Sequence, residues 1–102
     1  MNSNNKIELL SSYFHALSDP IRLQVIEQLV VQEMCVSDLC KSLDLKQPKL
    51  SFHLKILKES GFVLTRQDGR WVYYDLNHKQ FDLVKHYLTK YQNENQNQAV
   101  LT

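Results

Sequence analysis

The chain has 102 residues and a formal net charge of +1, with 43% hydrophobic, 10% aromatic and 23% charged residues. This length suits one domain near the lower end of what buries a self-sufficient core, which favours dimerisation, and only two glycines and two prolines indicate a helix-rich globular protein rather than a disordered one. No apolar run approaches the roughly 20 residues of a membrane span and the N-terminus lacks a signal-peptide core, so we expect a cytoplasmic protein.

The charge is unevenly distributed along the chain. Between Lys41 and Arg70 there are seven basic and three acidic residues, so this segment carries +4 and the remainder −3. A basic centre in a near-neutral chain is expected of a nucleic-acid-binding face. Charge clusters also occur on ordinary solvated surfaces, so this signal is only supporting evidence.

Two amphipathic helices are predicted at the start of the chain. The first covers residues 5–17, where apolar residues recur three and four positions apart at Ile7, Leu10, Phe14 and Leu17. Asp19 as N-cap and Pro20 at the first helical position then predict a second helix, which runs to about Gln32. Its apolar stripe is Ile21, Val25, Ile26, Leu29 and Val30.

The stretch from Val36 to Gly61 predicts a helix-turn-helix. Ser37 is a suitable N-cap for the first short helix. After a turn over residues 44–47, Pro48 suits the first position of a second helix, and Gly61 ends that helix as its C′ residue. One apolar stripe along the second helix contains Leu50, Leu54 and Leu57.

The turn and the outer face of this second helix are polar and basic. The candidate DNA contacts are Lys46, Gln47, Pro48, Lys49, Ser51, Phe52 and Lys55. A short helix with a buried leucine stripe and such an outer face suits the major groove of DNA. A solvated face over a small core is the alternative interpretation.

Beyond Gly61 the pattern changes to that of a β-hairpin. Residues 62–65 and 71–76 are rich in β-branched and aromatic side chains, and the Asp68-Gly69 pair between them is a strong hairpin-turn signal. The hairpin is interpreted as a wing with Arg66 and Arg70 on either side of its turn, where each can contact the phosphate backbone or the minor groove. Alternatively, both arginines are merely solvated.

A last amphipathic helix follows Asn77, a suitable N-cap, with apolar residues at Phe81, Val84, Leu88 and Tyr91. Apolar helices at both chain ends exceed what one small core covers, so we expect them to form a dimer interface. The predicted fold class is therefore mainly α with a β-hairpin wing, a winged helix-turn-helix. We expect one DNA-binding and dimerisation domain over residues 1–91 and a polar, flexible tail over residues 92–102.

Cys35 and Cys40 are the only two cysteines. With Ser37 as the cap, both sulfurs are expected at the N-terminus of the first helix of the helix-turn-helix. There the helix dipole favours the thiolate, which is the form that binds soft metals. A bend between them would also allow a reversible disulfide. Burial as two small hydrophobic residues is the third interpretation that their spacing leaves open.

Four blocks of the sequence, in this order, resemble the ArsR/SmtB family of metal-responsive bacterial repressors. They are FHALSDPIRL at residues 14–23, MCVSDLC at 34–40, QPKLSFHL at 47–54 and GRWVYY at 69–74. Within that family the chain is most similar to the arsenical-resistance operon repressors, whose box reads ELCVCDLC and is followed by a QPKISRHL recognition helix.

The resemblance implies a homodimeric repressor that binds an inverted-repeat operator in double-stranded DNA without a cofactor. It also implies release of the DNA when Cys35 and Cys40 bind trivalent arsenic or antimony. The chain departs from the family pattern at three positions. Ser37 replaces the middle cysteine, so two thiols remain of the usual three, Phe52 replaces the usual arginine, and Lys46 replaces the usual serine.

Several alternatives remain beside this one. The two cysteines also fit a redox or reactive-sulfur sensor that forms a Cys35–Cys40 disulfide, a sensor of another soft metal, or a winged helix without inducer response. His78 and His86 do not reproduce the family's zinc motif and are expected at the surface, whereas His53 is expected to be packed and hydrogen-bonded.

Two further classes of protein are not supported. No Ser-His-Asp or Cys-His arrangement and no phosphate-cradling glycine loop indicates an enzyme. A winged helix that binds protein would replace the polar and basic residues of the reading face with apolar or acidic ones. This chain keeps them, at Lys49, Ser51, Lys55, Arg66 and Arg70.

Overall fold

The computed structural model describes residues 3–92, with side chains from residue 5 onward. Five helices and three strands follow one another as α1 (Ser3–Leu17), α2 (Pro20–Val31), β1 (Met34–Cys35), α3 (Val36–Leu43), α4 (Gln47–Glu59), β2 (Val63–Asp68), β3 (Trp71–Leu76) and α5 (His78–Thr89). The strands form one antiparallel sheet in the order β1-β3-β2. The predicted winged helix-turn-helix is confirmed, while the predicted tail, apart from Gln92, lies outside the described residues.

The start of α2 follows the predicted capping pattern. The carboxylate of Asp19 accepts hydrogen bonds from the backbone N–H of Ile21 at 2.8 Å and of Arg22 at 3.2 Å. Pro20 occupies the first turn, where its missing N–H leaves no helical hydrogen bond unmade. The buried stripe differs from the predicted one, because Val30 is exposed and Arg22 joins Val25, Ile26 and Leu29 inside.

The predicted N-cap of α3 was wrong. Cys35, not Ser37, is the capping residue, and Ser37 is the second residue of the helix. The reason is that β1 runs directly into α3, so Cys35 already has the extended backbone that an N-cap requires, with φ −82° and ψ 166°. As a result, Cys40 lies in the second turn of α3 rather than in its first.

Both helices of the helix-turn-helix end in the same hydrogen-bonding motif. After α4, the N–H of Gly61 donates to Lys58 O at 3.0 Å and that of Phe62 to Leu57 O at 2.9 Å, and Gly61 has the positive φ of +86° expected of its C′ position. After α3, Asp44 takes the corresponding place with φ +55°. There the N–H of Leu45 donates to Cys40 O at 3.0 Å.

Two details of α4 and the wing differ from the sequence prediction. Helix α4 begins at Gln47, so Pro48 is its second residue. Strand β2 continues to Asp68, which pairs with Trp71 and leaves a loop of only Gly69 and Arg70. Arg66 therefore lies within a strand, because the pairing of β2 with the aromatic residues of β3 continues beyond the apolar residues of β2 into its polar residues.

The core lies between α2, α3, α4 and the wing. Its largest fully buried side chain is Phe62, whose ring centroid lies 6.0 Å from that of Tyr13 on α1 and 5.0 Å from that of Phe81 on α5. Leu39 of α3 and the predicted leucine stripe of α4 complete this centre. The small core therefore fixes α4 directly against α2 and α3.

One arginine and one histidine are buried within this apolar centre. The guanidinium of Arg22 donates from Nε to Ala16 O at 2.7 Å and from Nη2 to His15 O at 3.3 Å, and its Nη1 lies 3.0 Å from His53 Nδ1. Because a guanidinium only donates, His53 Nδ1 is the acceptor and the ring is neutral, with its hydrogen on Nε2. The predicted packed, hydrogen-bonded state of His53 is confirmed.

The environment of His53 favours this neutral form. Burial lowers the pKa of His53 and the charges of Arg22 and Lys49 lower it further, against an opposing effect of Asp19. The pKa of Asp19 is also lowered, because the backbone hydrogen bonds from Arg22 and Ile21 outweigh the opposing effect of its burial. The 3.7 Å contact between His53 and Asp19 is therefore not an ion pair at neutral pH.

The helices at the two chain ends leave apolar surface exposed. A groove between α1 and α5 is lined mainly by apolar and aromatic side chains, among them Leu9, Leu10, Tyr13, Leu83 and Tyr87. Phe14 beside it packs on Tyr87 with ring centroids 6.2 Å apart. Within residues 3–92, no helix is long and apolar enough to cross a membrane.

The neutral state of His53 makes the stability of the fold dependent on pH. The unfolded chain takes up a proton near pH 6.5 and the folded chain only at lower pH, so the free energy of unfolding falls as the pH decreases below about 6.5, by at most about 1.4 kcal/mol per pH unit. His53→Gln keeps an acceptor for Arg22 but does not titrate, so its dependence on pH should be flatter. Urea unfolding between pH 5 and 8 measures both slopes, and identical slopes would contradict the neutral His53.

Candidate nucleic-acid interface and thiol pair

Helix α4 divides into a buried side and an exposed side. Its buried residues are Leu50, His53, Leu54 and Leu57. All seven predicted contact residues of the turn and helix are exposed, namely Lys46, Gln47, Pro48, Lys49, Ser51, Phe52 and Lys55. The structure therefore brings these seven together on the solvent side of one helix.

Phe52 is the unusual member of this exposed face. Its side chain is 59% exposed although it is a large aromatic residue, and its ring contacts the edge of His53 with centroids 5.2 Å apart. His53 in turn is held by Arg22, so the exposed ring rests on a buried, hydrogen-bonded neighbour. An apolar ring held at a helix surface suits contact with a thymine methyl group.

The two wing arginines are both exposed but differ in their surroundings. Arg70 lies in the two-residue loop, with its guanidinium carbon 5.3 Å from the ring centroid of Trp71. Arg66 lies in β2, with its guanidinium carbon 4.7 Å from the ring centroid of Tyr73. Arg66 also donates from Nε and Nη2 to the carboxylate of Glu33, with an Nε to Oε2 distance of 3.3 Å.

The charges of this ion pair stabilise each other. The hydrogen bond with Glu33 raises the pKa of Arg66, and the same bond lowers the pKa of Glu33. Asp68 lies on the other side of Arg66, with its Oδ2 3.8 Å from Nη1. Arg66 therefore faces two carboxylates, whereas Arg70 has no carboxylate within ion-pair distance in the described part of the chain.

The thiol pair lies where α3 meets the sheet. Cys35 is buried and ends β1, and Cys40 is half-buried on α3. Cys35 pairs with Tyr73 of β3, which on its other side pairs with Arg66 of β2, so these three residues form one row across the sheet. The carbonyl of Cys40 accepts the hydrogen bond of Leu45 in the turn before α4. Each cysteine is thus joined through the backbone to one element of the candidate interface, Cys35 to the wing and Cys40 to the turn before α4.

The chemistry of the thiol pair suits a soft ion but supplies only two donors. Thiolate sulfur is the ligand that soft metals and metalloids prefer. Between residues 3 and 92, no group of three or more His, Cys, Asp or Glu side chains is arranged to hold a metal ion. His78 and His86 are exposed on α5, as predicted.

Sequence reasoning missed three residues of these sites. The spacing of Arg22 from Val25, Ile26 and Leu29 is that of one helix face, and this spacing was the available signal that Arg22 is buried. Tyr73 pairs with Arg66 across the predicted hairpin, so the register of that hairpin was the available signal for their contact. Glu33 had no comparable signal, because its contact with Arg66 depends on a strand of only two residues, which is too short to show an alternating pattern.

Comparison with known proteins identifies the family. The model of the bacterial regulatory protein arsR family matches residues 19–65. The arsenical resistance operon repressor of Escherichia coli K12 is 48% identical over 65 residues, covering 63% of this chain and 56% of that protein. The protein of the same name from Bacillus subtilis 168 is 42% identical over 76 residues, covering 71% of this chain and 72% of its relative.

A solved structure supports the fold. The chain resembles the homodimeric winged helix-turn-helix DNA-binding domain of Mb0332 from Mycobacterium bovis with a TM-score of 0.75, at 20% identity over 91% of this chain and 87% of that one. The resemblance inferred from the four sequence blocks is therefore confirmed. These comparisons also confirm a regulatory protein rather than an enzyme. The chain belongs to the ArsR family of bacterial regulatory proteins.

Proposed function

We propose that the chain is a transcriptional repressor that binds an inverted-repeat operator in double-stranded DNA as a homodimer. The observation that carries the proposal is the exposed side of α4 and its N-cap, where seven residues, most of them polar or basic, lie opposite a buried leucine stripe. The names of the relatives from E. coli and B. subtilis support it. Such a repressor acts on the bacterial chromosome and therefore in the cytoplasm.

The proposed contacts divide into two kinds. Ser51 and Phe52 lie towards the start of α4 and contact base edges in the major groove, where sequence is read. Lys46, Lys49 and Lys55 neutralise phosphates and position the helix without reading the bases. Arg70 in the wing loop and Arg66 in β2 contact the backbone or the minor groove beside it.

A second copy of the chain is proposed to cover the exposed apolar faces of α1 and α5. Leu9 and Leu83 are 47% and 46% exposed there, and Tyr91, just past the end of α5, is 62% exposed. The groove between the two helices is continuous with these side chains. Burial of this surface in a symmetric dimer places two recognition helices on half-sites about one DNA turn apart.

Trivalent arsenic or antimony is the proposed inducer, with Cys35 and Cys40 as ligands. The relatives' association with arsenical resistance and the soft thiol donors support this assignment. Trivalent arsenic takes three ligands in a pyramid, so the two protein thiols are completed by a small thiol from solution, a hydroxide or a residue from elsewhere. DNA binding itself requires no cofactor.

The position of the thiol pair suggests how an inducer would act. Drawing Cys35 and Cys40 together displaces the start of α3, and the two backbone connections carry this displacement onward. One runs from Cys40 through Leu45 to α4, and the other from Cys35 through Tyr73 to the wing. By reciprocity, the inducer weakens DNA binding by the same factor by which DNA weakens inducer binding.

A redox or reactive-sulfur switch is the second candidate function. The observation that favours it is the exposed Ser37 where the family has its middle cysteine, since a disulfide needs only the two thiols present. Formation of a Cys35–Cys40 disulfide would release two protons and transfer two electrons to the oxidant. Its structural consequence at the start of α3 is the same as that of the metalloid.

Substitutions should separate phosphate contacts from base contacts. Lys55→Ala and Arg70→Ala are expected to weaken binding to operator and random DNA alike. Each removes one phosphate contact per subunit, so in a dimer the slope of log K against log salt concentration should become shallower by about 1.8, or about 0.9 per contact. Ser51→Ala and Phe52→Ala should mainly change which sequences are preferred. Fluorescence anisotropy titrations with both DNAs measure these effects, and an equal loss on both DNAs for all four variants would contradict the division.

A third thiol should strengthen the response to arsenite, and loss of one should abolish it. Cys40→Ser is expected to bind DNA normally but not to release it with arsenite. Ser37→Cys, at an exposed position, should release DNA at a lower arsenite concentration than the unsubstituted protein. DNA release is followed under reducing conditions and, separately, with a mild oxidant in reductant-free buffer. Release by oxidant alone would favour the disulfide switch over the metalloid sensor.

A further inference from the structure

Glu33 links the segment between α2 and β1 to the wing. It lies between α2 and β1, two residues before Cys35, and its carboxylate accepts hydrogen bonds from Nε and Nη2 of Arg66. The two residues are 33 positions apart in the chain. The contact therefore exists only because β1 pairs with β3 and brings this connection to the wing.

The edge of Arg66 that Glu33 occupies is the edge a phosphate would use. Nε and Nη2 present two parallel N–H donors, the geometry with which arginine binds carboxylates and phosphates in a bidentate manner. The ring of Tyr73 lies against the guanidinium and limits its freedom to turn. The remaining end, Nη1, is the one near Asp68. A phosphate at the preferred edge must therefore displace Glu33.

We propose that Glu33 competes with DNA phosphate for Arg66 and so sets the DNA affinity of the wing. This inference rests on the proposed function, in which Arg66 contacts DNA. The side chains of Arg66 and Glu33 are 53% and 37% exposed, so the pair is held weakly enough to exchange. Arg70 has no carboxylate partner among the described residues, so DNA binding through Arg70 breaks no ion pair there.

The competition lowers affinity in two ways. Binding must first break the Glu33–Arg66 hydrogen bonds, and it then leaves the Glu33 carboxylate close to the phosphate backbone. An exposed ion pair of this kind corresponds to about a 1.5- to 5-fold change in an equilibrium constant per subunit. In a symmetric dimer with two wings the factor is squared, to about 2- to 25-fold.

Two substitutions at Glu33 test the competition. Glu33→Gln removes the charge, and Glu33→Asp keeps the charge but shortens the side chain by one methylene, which withdraws it from Arg66. The control Glu27→Gln removes an equally charged, exposed carboxylate on α2 that makes no ion pair within residues 5–92. Dissociation constants for operator and random DNA are measured at one fixed salt concentration.

The expected result is tighter binding to both DNAs by both Glu33 variants. Glu33→Gln should bind about 2- to 25-fold more tightly than the unsubstituted protein, Glu33→Asp should show part of this gain, and the control should show less than either. An unchanged Glu33→Asp together with equal gains from Glu33→Gln and Glu27→Gln would overturn the inference in favour of a general charge effect. Weaker binding by either Glu33 variant would overturn it in favour of a role for Glu33 in orienting Arg66.

The same titrations distinguish failure of this inference from failure of the proposed function. If the unsubstituted protein binds its operator and Glu33 has no special effect, only the competition is refuted. If neither the unsubstituted protein nor any variant binds DNA, the proposed repressor function is refuted and the competition with it.

Discussion

The buried guanidinium of Arg22 holds α4 in place. An arginine without partners in an apolar core would destabilise the fold by several kcal/mol, so its donors must be satisfied. Two backbone carbonyls at the end of α1 and the ring of His53 on α4 provide the acceptors. The requirement fixes the relative positions of α1, α2 and α4. The helix proposed to pair with a second subunit and the helix proposed to read DNA therefore share one anchor.

The proposed regulatory role of the thiol pair rests on its position between two elements rather than on its donor set. Two sulfurs are fewer than trivalent arsenic prefers, yet Cys35 belongs to the sheet that carries the wing, and the carbonyl of Cys40 belongs to the turn before α4. A small movement of either residue is therefore transmitted through backbone hydrogen bonds, which are directional and intolerant of displacement. In the proposed function a metalloid and a disulfide would have the same effect, because both would bring the two sulfurs together.

The wing shows why exposure alone does not identify a nucleic-acid contact. Arg66 and Arg70 are both exposed arginines on the same hairpin, and their sequence surroundings made them equivalent candidates. In the folded chain Arg66 is engaged by Glu33 and Arg70 is not. In the proposed function, the charge that the wing offers to DNA is therefore smaller than a count of its basic residues indicates, and it depends on the carboxylate of Glu33, two residues before Cys35.

Local signals in the sequence determined most of the architecture and the exposed face of α4. Asp19-Pro20 begins α2, the leucine stripe orients α4, and Gly61 ends it, because capping and periodicity act over a few residues and can be read from the chain directly. The tertiary structure alone decided the cap at Cys35, the hydrogen bond between Arg22 and His53 and the pairing of Glu33 with Arg66. The latter two contacts join residues 31 and 33 positions apart, and the first depends on β1 finding β3. Such contacts depend on which segments meet across the core and the sheet, and neither periodicity nor spacing encodes that.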